Sequence, residues 1–231
     1  GSPRATFDLT KLITGSQGTL ALVTKIKLSL IRPKAHRAML VVFLSDFDIL
    51  PDVVHKILRH KPESFESYDE HTLSLAVRFM PQILKNLGLG SALHLAFSFL
   101  PEIGMVLTGG VPKLVLIAEF AAENEKDAHA MASQALASLE GLSVRARLTK
   151  SGIESEKYWR IRRESFALLR KNLKGLYASP FIDDIIVNPD HYPEFLPKLD
   201  SLLKEHALLY TIAGHIGNGN FHIIPLMDLS K

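Results

Sequence analysis

Hydrophobic and polar positions alternate along this chain in two rhythms. Residues 37–44 (RAMLVVFL) and 113–121 (KLVLIAEFA) are short, nearly continuous apolar runs, as expected of buried strands. Period-two alternation marks 142–148 (LSVRARL) as a strand. Val23, Thr24, Ile26, Leu28 and Leu30 give residues 19–31 the same strand-like reading. Helical spacing appears at 46–60, where Ile49, Val53, Val54, Ile57 and Leu58 share a face. A second helix is expected over 72–87, with Pro81 kinking or ending its first part, after a short polar join at 67–70. Helices over 123–139 and 189–207 and a strand over 182–187 complete the pattern. The β-α-β order occurs twice. The expected fold is therefore α+β: two ferredoxin-like β-α-β halves forming one antiparallel sheet with helices on one face.

Ser151-Gly152-Ile153-Glu154 is a capping box, with Ser at the N-cap and Glu at N3. The helix it opens is expected to reach Leu173 and to place Tyr158, Arg162, Ser165, Phe166 and Leu169 on one face. An arginine among apolar neighbours is costly unless an anion compensates it or its head snorkels to solvent.

Chemistry is densest in Gly214-His215-Ile216-Gly217-Asn218-Gly219-Asn220-Phe221-His222. Asn-Gly between apolar flanks is the strongest short hairpin signal. With Asn218 and Gly219 as a two-residue turn, counting outward sets His215 opposite His222. Directly opposed residues share a face, with Cβ atoms about 4.5–5.5 Å apart. Two imidazoles so placed can share a metal ion or flank a substrate oxygen. Two incidental histidines in half-buried strands are the plainer alternative. Gly214, Gly217 and Gly219 leave backbone bare, where a ligand or cofactor ring could approach.

Composition narrows the classes. The 231 residues are 47% hydrophobic and 22% charged, ordinary for a globular protein with a real core. A net charge of +3 is too small to argue for nucleic acid. There is no cysteine, which excludes disulfides, a thiol nucleophile and iron–sulfur ligation within these residues. Residues 87–101 carry no formal charge, yet are too short and broken for a membrane span, which needs about 20 residues. They read as core and loop, as a mobile apolar cap, or as a peripheral membrane contact. Stretch 87–112 is expected to be the least ordered internal segment or to pack on a second copy. Gly15-Ser16-Gln17-Gly18 is a turn that could bind phosphate through backbone N–H groups, or a plain glycine turn before a strand.

These strings resemble one family. Gly214 to His222 is similar to the Gly-His-x-Gly-Asp-Gly-Asn-x-His signature of the FAD-linked oxidase C-terminal domain, in the vanillyl-alcohol oxidase superfamily. That family includes D-lactate dehydrogenases, the glycolate oxidase flavin subunit and D-2-hydroxyglutarate dehydrogenase. Asn218 stands where the family usually has Asp. Tyr158-Trp159-Arg160-Ile161-Arg162 looks like its Leu-Trp-x-Ile-Arg-Glu helix, with Arg163 in place of Glu. Asp8 to Leu12 and Gly15 to Leu20 are similar to the end of its FAD-binding domain, where Gln17 and Ala21 depart from the usual Glu and Gly. Ile182-Asp183-Asp184 leads into a strand as in the family, and by period two at most one of these acids faces the site.

The resemblance implies flavin-dependent oxidation of a D-2-hydroxy acid of the lactate, glycolate or 2-hydroxyglutarate type. Arg162 and Asn220 would bind the substrate, and His222 would be catalytic. His215 and His222 would hold a divalent metal such as zinc, with a third ligand and the base downstream. Gly15, Ser16, Gly18, Thr19 and Val23 would contact FAD. Residues 1–34 would be a C-terminal remnant of the FAD-binding domain, and 35–231 a substrate-binding domain truncated before its end. Gly1-Ser2 read as a cloning scar. Alone, the chain is expected to bind no stoichiometric FAD and to be inactive. The implied setting is cytoplasmic or peripheral to the inner membrane, with a homodimer as a further option and no nucleic-acid partner. The competing class is a non-catalytic ferredoxin-like binding or dimerisation module.

Overall fold

The computed structural model describes residues 7–74, 104, 110–172, 177–178, 182–206 and 208–228. The expected helix over 72–87 is described only at its start, where residues 70–74 are helical; most of the 87–112 stretch lies outside the described residues. No helix among the described residues is long and apolar enough to cross a membrane.

Two compact units divide the chain, Gly1–Pro33 and Lys34–Lys231. The first contains helix α1 (Leu9–Ile13), started by Asp8, whose Oδ1 accepts from the Thr10 N–H at 3.0 Å. The strand expected over 19–31 does not form, and Leu22 and Leu30 are 94% and 89% exposed. Alternation alone is not enough. A strand needs a neighbour for its N–H and C=O groups, and among the described residues this unit has no second strand.

In the second unit, β1 (His36–Leu44), α2 (Leu50–Leu58), β2 (Ser64–Asp69), β3 (Leu114–Ala122), α3 (Glu125–Ser138) and β4 (Arg145–Leu148) come first. Then follow α4 (Gly152–Asn172), β5 (Tyr177–Ala178), β6 (Ile182–Ile186), α5 (Tyr192–Glu205), β7 (Leu209–Gly214) and β8 (Asn220–Met227). Among the described residues they form one eight-stranded antiparallel sheet in the order β4-β1-β3-β2-β7-β8-β5, with β6 also paired to β8. The first four strands give the split β-α-β order twice, since β3 sits between β1 and β2 and β1 between β4 and β3. The second half repeats it once: β8 lies between β6 and β7, which α5 connects. A seam of β2 with β7, Ser67 opposite Gly214 and Tyr68 opposite Ala213, joins the halves.

The α+β reading with two such halves holds, and α2, α3 and α5 lie on one face as expected. Their buried residues, Val53, Ile57, Ala128, Ala132 and Leu196 among them, share a core with Leu40, Val42, Leu116 and Phe120 of the sheet. Helix α4 departs from the one-face picture. Its Tyr158 and Ile161 pack on the opposite face, against Met39, Val41, Phe43, Val115 and Ile117. Cover on both faces explains why β1 and β3 read as continuous apolar runs. The expected polar join at 67–70 is instead mostly strand, the second half of β2 (SFESYD). Strand β2 is central to the sheet and buried along most of its length, and its two acids, Glu66 and Asp69, find partners there.

Candidate functional site

The hairpin loop is not a two-residue turn. Ile216 is fully buried in the helical-face core, and its carbonyl accepts from the Tyr192 hydroxyl at 3.2 Å. That anchor draws Ile216–Asn218 into one turn of 3-10 helix, closed by Gly219 at φ 74°. Ala213, not His215, is therefore opposite His222. The difference is two residues, and an even slip keeps the face. The two histidines are diagonal neighbours, and their rings still meet edge-to-face with centroids 5.2 Å apart.

The three glycines serve the fold. A Cβ at Gly214 would lie 2.1 Å from the Asn220 carbonyl oxygen, and one at Gly219 2.3 Å from that of Val187. At Gly217 it would press on Phe65 at 3.1 Å. The space expected for a ligand or cofactor ring is taken by the chain itself.

Each imidazole meets a carboxylate. His215 Nδ1 lies 2.6 Å from Glu66 Oε1 and His222 Nδ1 3.4 Å from Asp184 Oδ1. Asp184 Oδ1 also accepts from Asn220 Nδ2 at 2.8 Å, while Asn220 Oδ1 is buried without a hydrogen-bond partner among the described residues. Asp184 thus faces the site; the side chain of Asp183 lies outside the described residues. From α4, an Arg162 Nη approaches the other oxygen of Glu66 at 3.2 Å. Arg162, Glu66, His215, His222, Asn220 and Asp184 form one polar group on the face that α4 covers. Sequence reasoning passed over Glu66, which lies just before the stretch read as a polar join.

Local structure explains how Arg162 arrives there. Ser151 Oγ accepts from the Glu154 N–H at 3.2 Å, as a capping box requires. The Glu154 carboxylate instead takes the Lys150 N–H at 2.6 Å and pairs with Arg147 at 2.6 Å. Burial opposes its ionisation, but these donors prevail and hold its pKa below the usual value. One turn before Arg162, Trp159 Nε1 donates to buried Glu119 at 3.0 Å, and Arg37 pairs with the same carboxylate. Arg163 pairs with Glu156 at the surface. The side chains of Ser165, Phe166 and Leu169 lie outside the described residues.

Gly15, Ser16, Gly18, Thr19 and Val23 belong to the first unit, where the two glycines have φ of 81° and 76°. Ser16 O accepts from the Thr19 hydroxyl, and Val23 is exposed. No group of three or more His, Asp or Glu side chains among the described residues is placed to hold a metal. His215 and His222 supply two donors, and each has its Nδ1 turned to a carboxylate. That leaves Nε2 for an ion, an arrangement that suits histidine ligands.

A recess of about 320 Å³ opens on the helical face, lined in part by Asp69, His71, Lys113, Asp200, Lys204 and Tyr210. The Asp69 carboxylate accepts from Thr72 N at 2.9 Å and, across the seam, from Ile212 N at 2.9 Å. It also lies 3.2 Å from His71 Nδ1, a hydrogen bond that raises the His71 pKa.

Residues 33–231 match the family described as FAD linked oxidases, C-terminal domain. A D-2-hydroxyglutarate dehydrogenase of Escherichia coli (strain K12) is 25% identical over 230 residues, covering 96% of this chain and 21% of that protein. One from Stutzerimonas stutzeri (strain A1501) is 26% identical, covering 94% of this chain and 42% of its own length. A mitochondrial D-lactate dehydrogenase [cytochrome] of Arabidopsis thaliana is 24% identical, with 98% and 35% covered. The chain thus spans less than half of each. Among solved structures, an alkyldihydroxyacetonephosphate synthase superposes with a TM-score of 0.68 at 12% identity, over 98% of this chain and 42% of the other. A 4-ethylphenol oxidase from Gulosibacter chungangensis gives 0.56 at 11% identity, over 88% and 42%.

Proposed function

The chain belongs to the family of FAD linked oxidases, C-terminal domain, and from that we propose that it is the substrate-binding part of a flavin-dependent dehydrogenase for a D-2-hydroxy acid. The relatives named D-2-hydroxyglutarate and D-lactate dehydrogenase support this substrate class. The observation that carries the reading is the meeting of one guanidinium and two imidazoles on one sheet face, with Arg162 and His215 joined at Glu66 and His222 against the His215 ring.

Arg162 is assigned to the substrate carboxylate, for which its planar fork is suited. Asn220, held by Asp184, leaves its buried Oδ1 as an acceptor for a donor on the substrate. His222 is assigned to the 2-hydroxyl, and His215 and His222 are the residues that would hold a divalent ion such as zinc. That ion would supply Lewis acidity at the hydroxyl, and FAD, carried by the upstream part of the longer protein, would supply the hydride acceptor. The turn at Gly15 to Thr19, with Val23, is assigned to the flavin side, as the end of the FAD-binding domain. The setting is cytoplasmic, with contact to a membrane surface or a second copy as options.

The decisive experiment adds the flanking sequence. The chain alone should be colourless and inactive. The longer protein should carry near one flavin per chain and bleach when given D-2-hydroxyglutarate or D-lactate. Arg162→Ala in it should raise KM by one to two orders of magnitude, as expected for loss of a charge-assisted contact of about 1.5–3 kcal/mol. A longer protein that stays colourless would favour the non-catalytic binding module.

A further inference from the structure

Glu66 is a costly residue to place where it is. It lies in the middle of β2, paired in register with Ile117 of β3, and its side chain is 10% exposed. A buried carboxylate is tolerated when both oxygens are engaged. Here they are, by partners from two distant elements: Oε1 by His215 after β7 and Oε2 by Arg162 on α4. An ionised carboxylate only accepts hydrogen bonds, so the nitrogen facing it must carry the proton. In a neutral imidazole the other nitrogen then holds the lone pair. The contact at 2.6 Å therefore selects the Nδ1–H tautomer of His215, the reverse of the form a free histidine side chain favours in water.

We propose that Glu66 is the positioning residue of this site: it fixes His215 with Nε2 as the electron-pair donor and, with its second oxygen, holds Arg162 in place beside it. One carboxylate thereby sets the spacing between the nitrogen that would hold the ion and the guanidinium that would face the substrate carboxylate. The roles given to Nε2 and Arg162 rest on the function proposed above. The tautomer is a property of this chain alone, so the two ideas fail separately. His222 is an internal control, because its contact to Asp184 is longer at 3.4 Å and Asp184 is 69% exposed.

The experiment is a long-range proton–nitrogen correlation spectrum of the imidazoles in the nitrogen-15-labelled chain, at a pH of about 8.5, above the ordinary histidine range. His215 should show a protonated Nδ1 and a bare Nε2. Glu66→Ala should return His215 to the Nε2–H form, with His222 unchanged. A protonated Nε2 in the unsubstituted chain overturns the proposal whether or not the variant folds. So does an unchanged His215 tautomer in a variant whose backbone spectrum shows it folded. Loss of flavin binding or activity in the longer protein would bear on the function and leave this result standing.

Discussion

The two faces of the sheet are built from the same strands and do different work. Leu116 and Ile117 are neighbours on β3, and both are fully buried. Leu116 faces α2, α3 and α5, in the large apolar core it shares with residues such as Ala38 and Phe120. Ile117 faces α4, in a smaller cluster bordered by Glu119 on β3 and Glu66 on β2. Each of those acids is matched by an arginine and by a ring N–H or imidazole. The first face supplies stability through area removed from water. The second gives up some of that area to hold charged groups at fixed distances, and Arg162, the group assigned to the substrate carboxylate, is one of them.

The comparison predicts its largest effect on the first face. Leu116→Ala should cost about 2–5 kcal/mol, the range for a truncated core leucine, by denaturant unfolding. The imidazole spectra of His215 and His222 in the folded variant should not move. A shift of both rings would mean that the faces are not independent. Next comes the loop itself. Gly214→Ala puts a Cβ against Asn220 O and the Phe221 Cα at 2.1 and 2.8 Å. Overpacking of this kind costs about 1–3 kcal/mol, and here both imidazole environments should change with it. Wild-type spectra in that variant would show that the loop does not set the histidine positions.

What the sequence disclosed follows from where each signal's partners lie. The runs of β1 and β3, the apolar face of α2 and the cap of α4 are local, and they were legible. The register at His215 and His222 was wrong by two residues but right in face, because only the face is encoded by alternation. Glu66 was invisible, since its meaning comes from a histidine 149 positions away. Residues 19–31 erred the other way: a good strand pattern with no strand paired to it among the described residues. The family resemblance reached further than either, because it rests on short strings rather than on periodicity.

A smaller effect should appear at the start of α4, which carries the second face. Ser151→Ala removes the acceptor for the Glu154 N–H and should cost about 1 kcal/mol, as N-cap truncations do. Fraying from that end should loosen Trp159 from Glu119, which a red shift of tryptophan fluorescence would report. Unchanged stability and emission would place the hold on Arg162 in packing alone.

The smallest effect tests the exception to the rule, the polar recess on the otherwise apolar face. There Asp69 clasps β7 through Ile212 N, beside a seam with only two register pairs, and His71 stands against both the carboxylate and the Tyr210 ring. Its surroundings are Asp69, Glu70, Asp200 and Tyr210, with Lys113 and Lys204 at the rim. The hydrogen bond to Asp69 raises the His71 pKa; burial opposes it, and the charges of Asp69, Glu70 and Asp200 add to the rise. A histidine whose folded pKa lies above its unfolded value of about 6.5 stabilises fully below that value, and the contribution is lost as pH rises through the folded pKa. The stability gap between the natural chain and His71→Gln should thus be widest at mildly acidic pH and close on the alkaline side. Paired urea titrations across that range read it directly. A gap that stays constant would mean that His71 contributes by packing on Tyr210, and that its charge does not brace the seam between the halves.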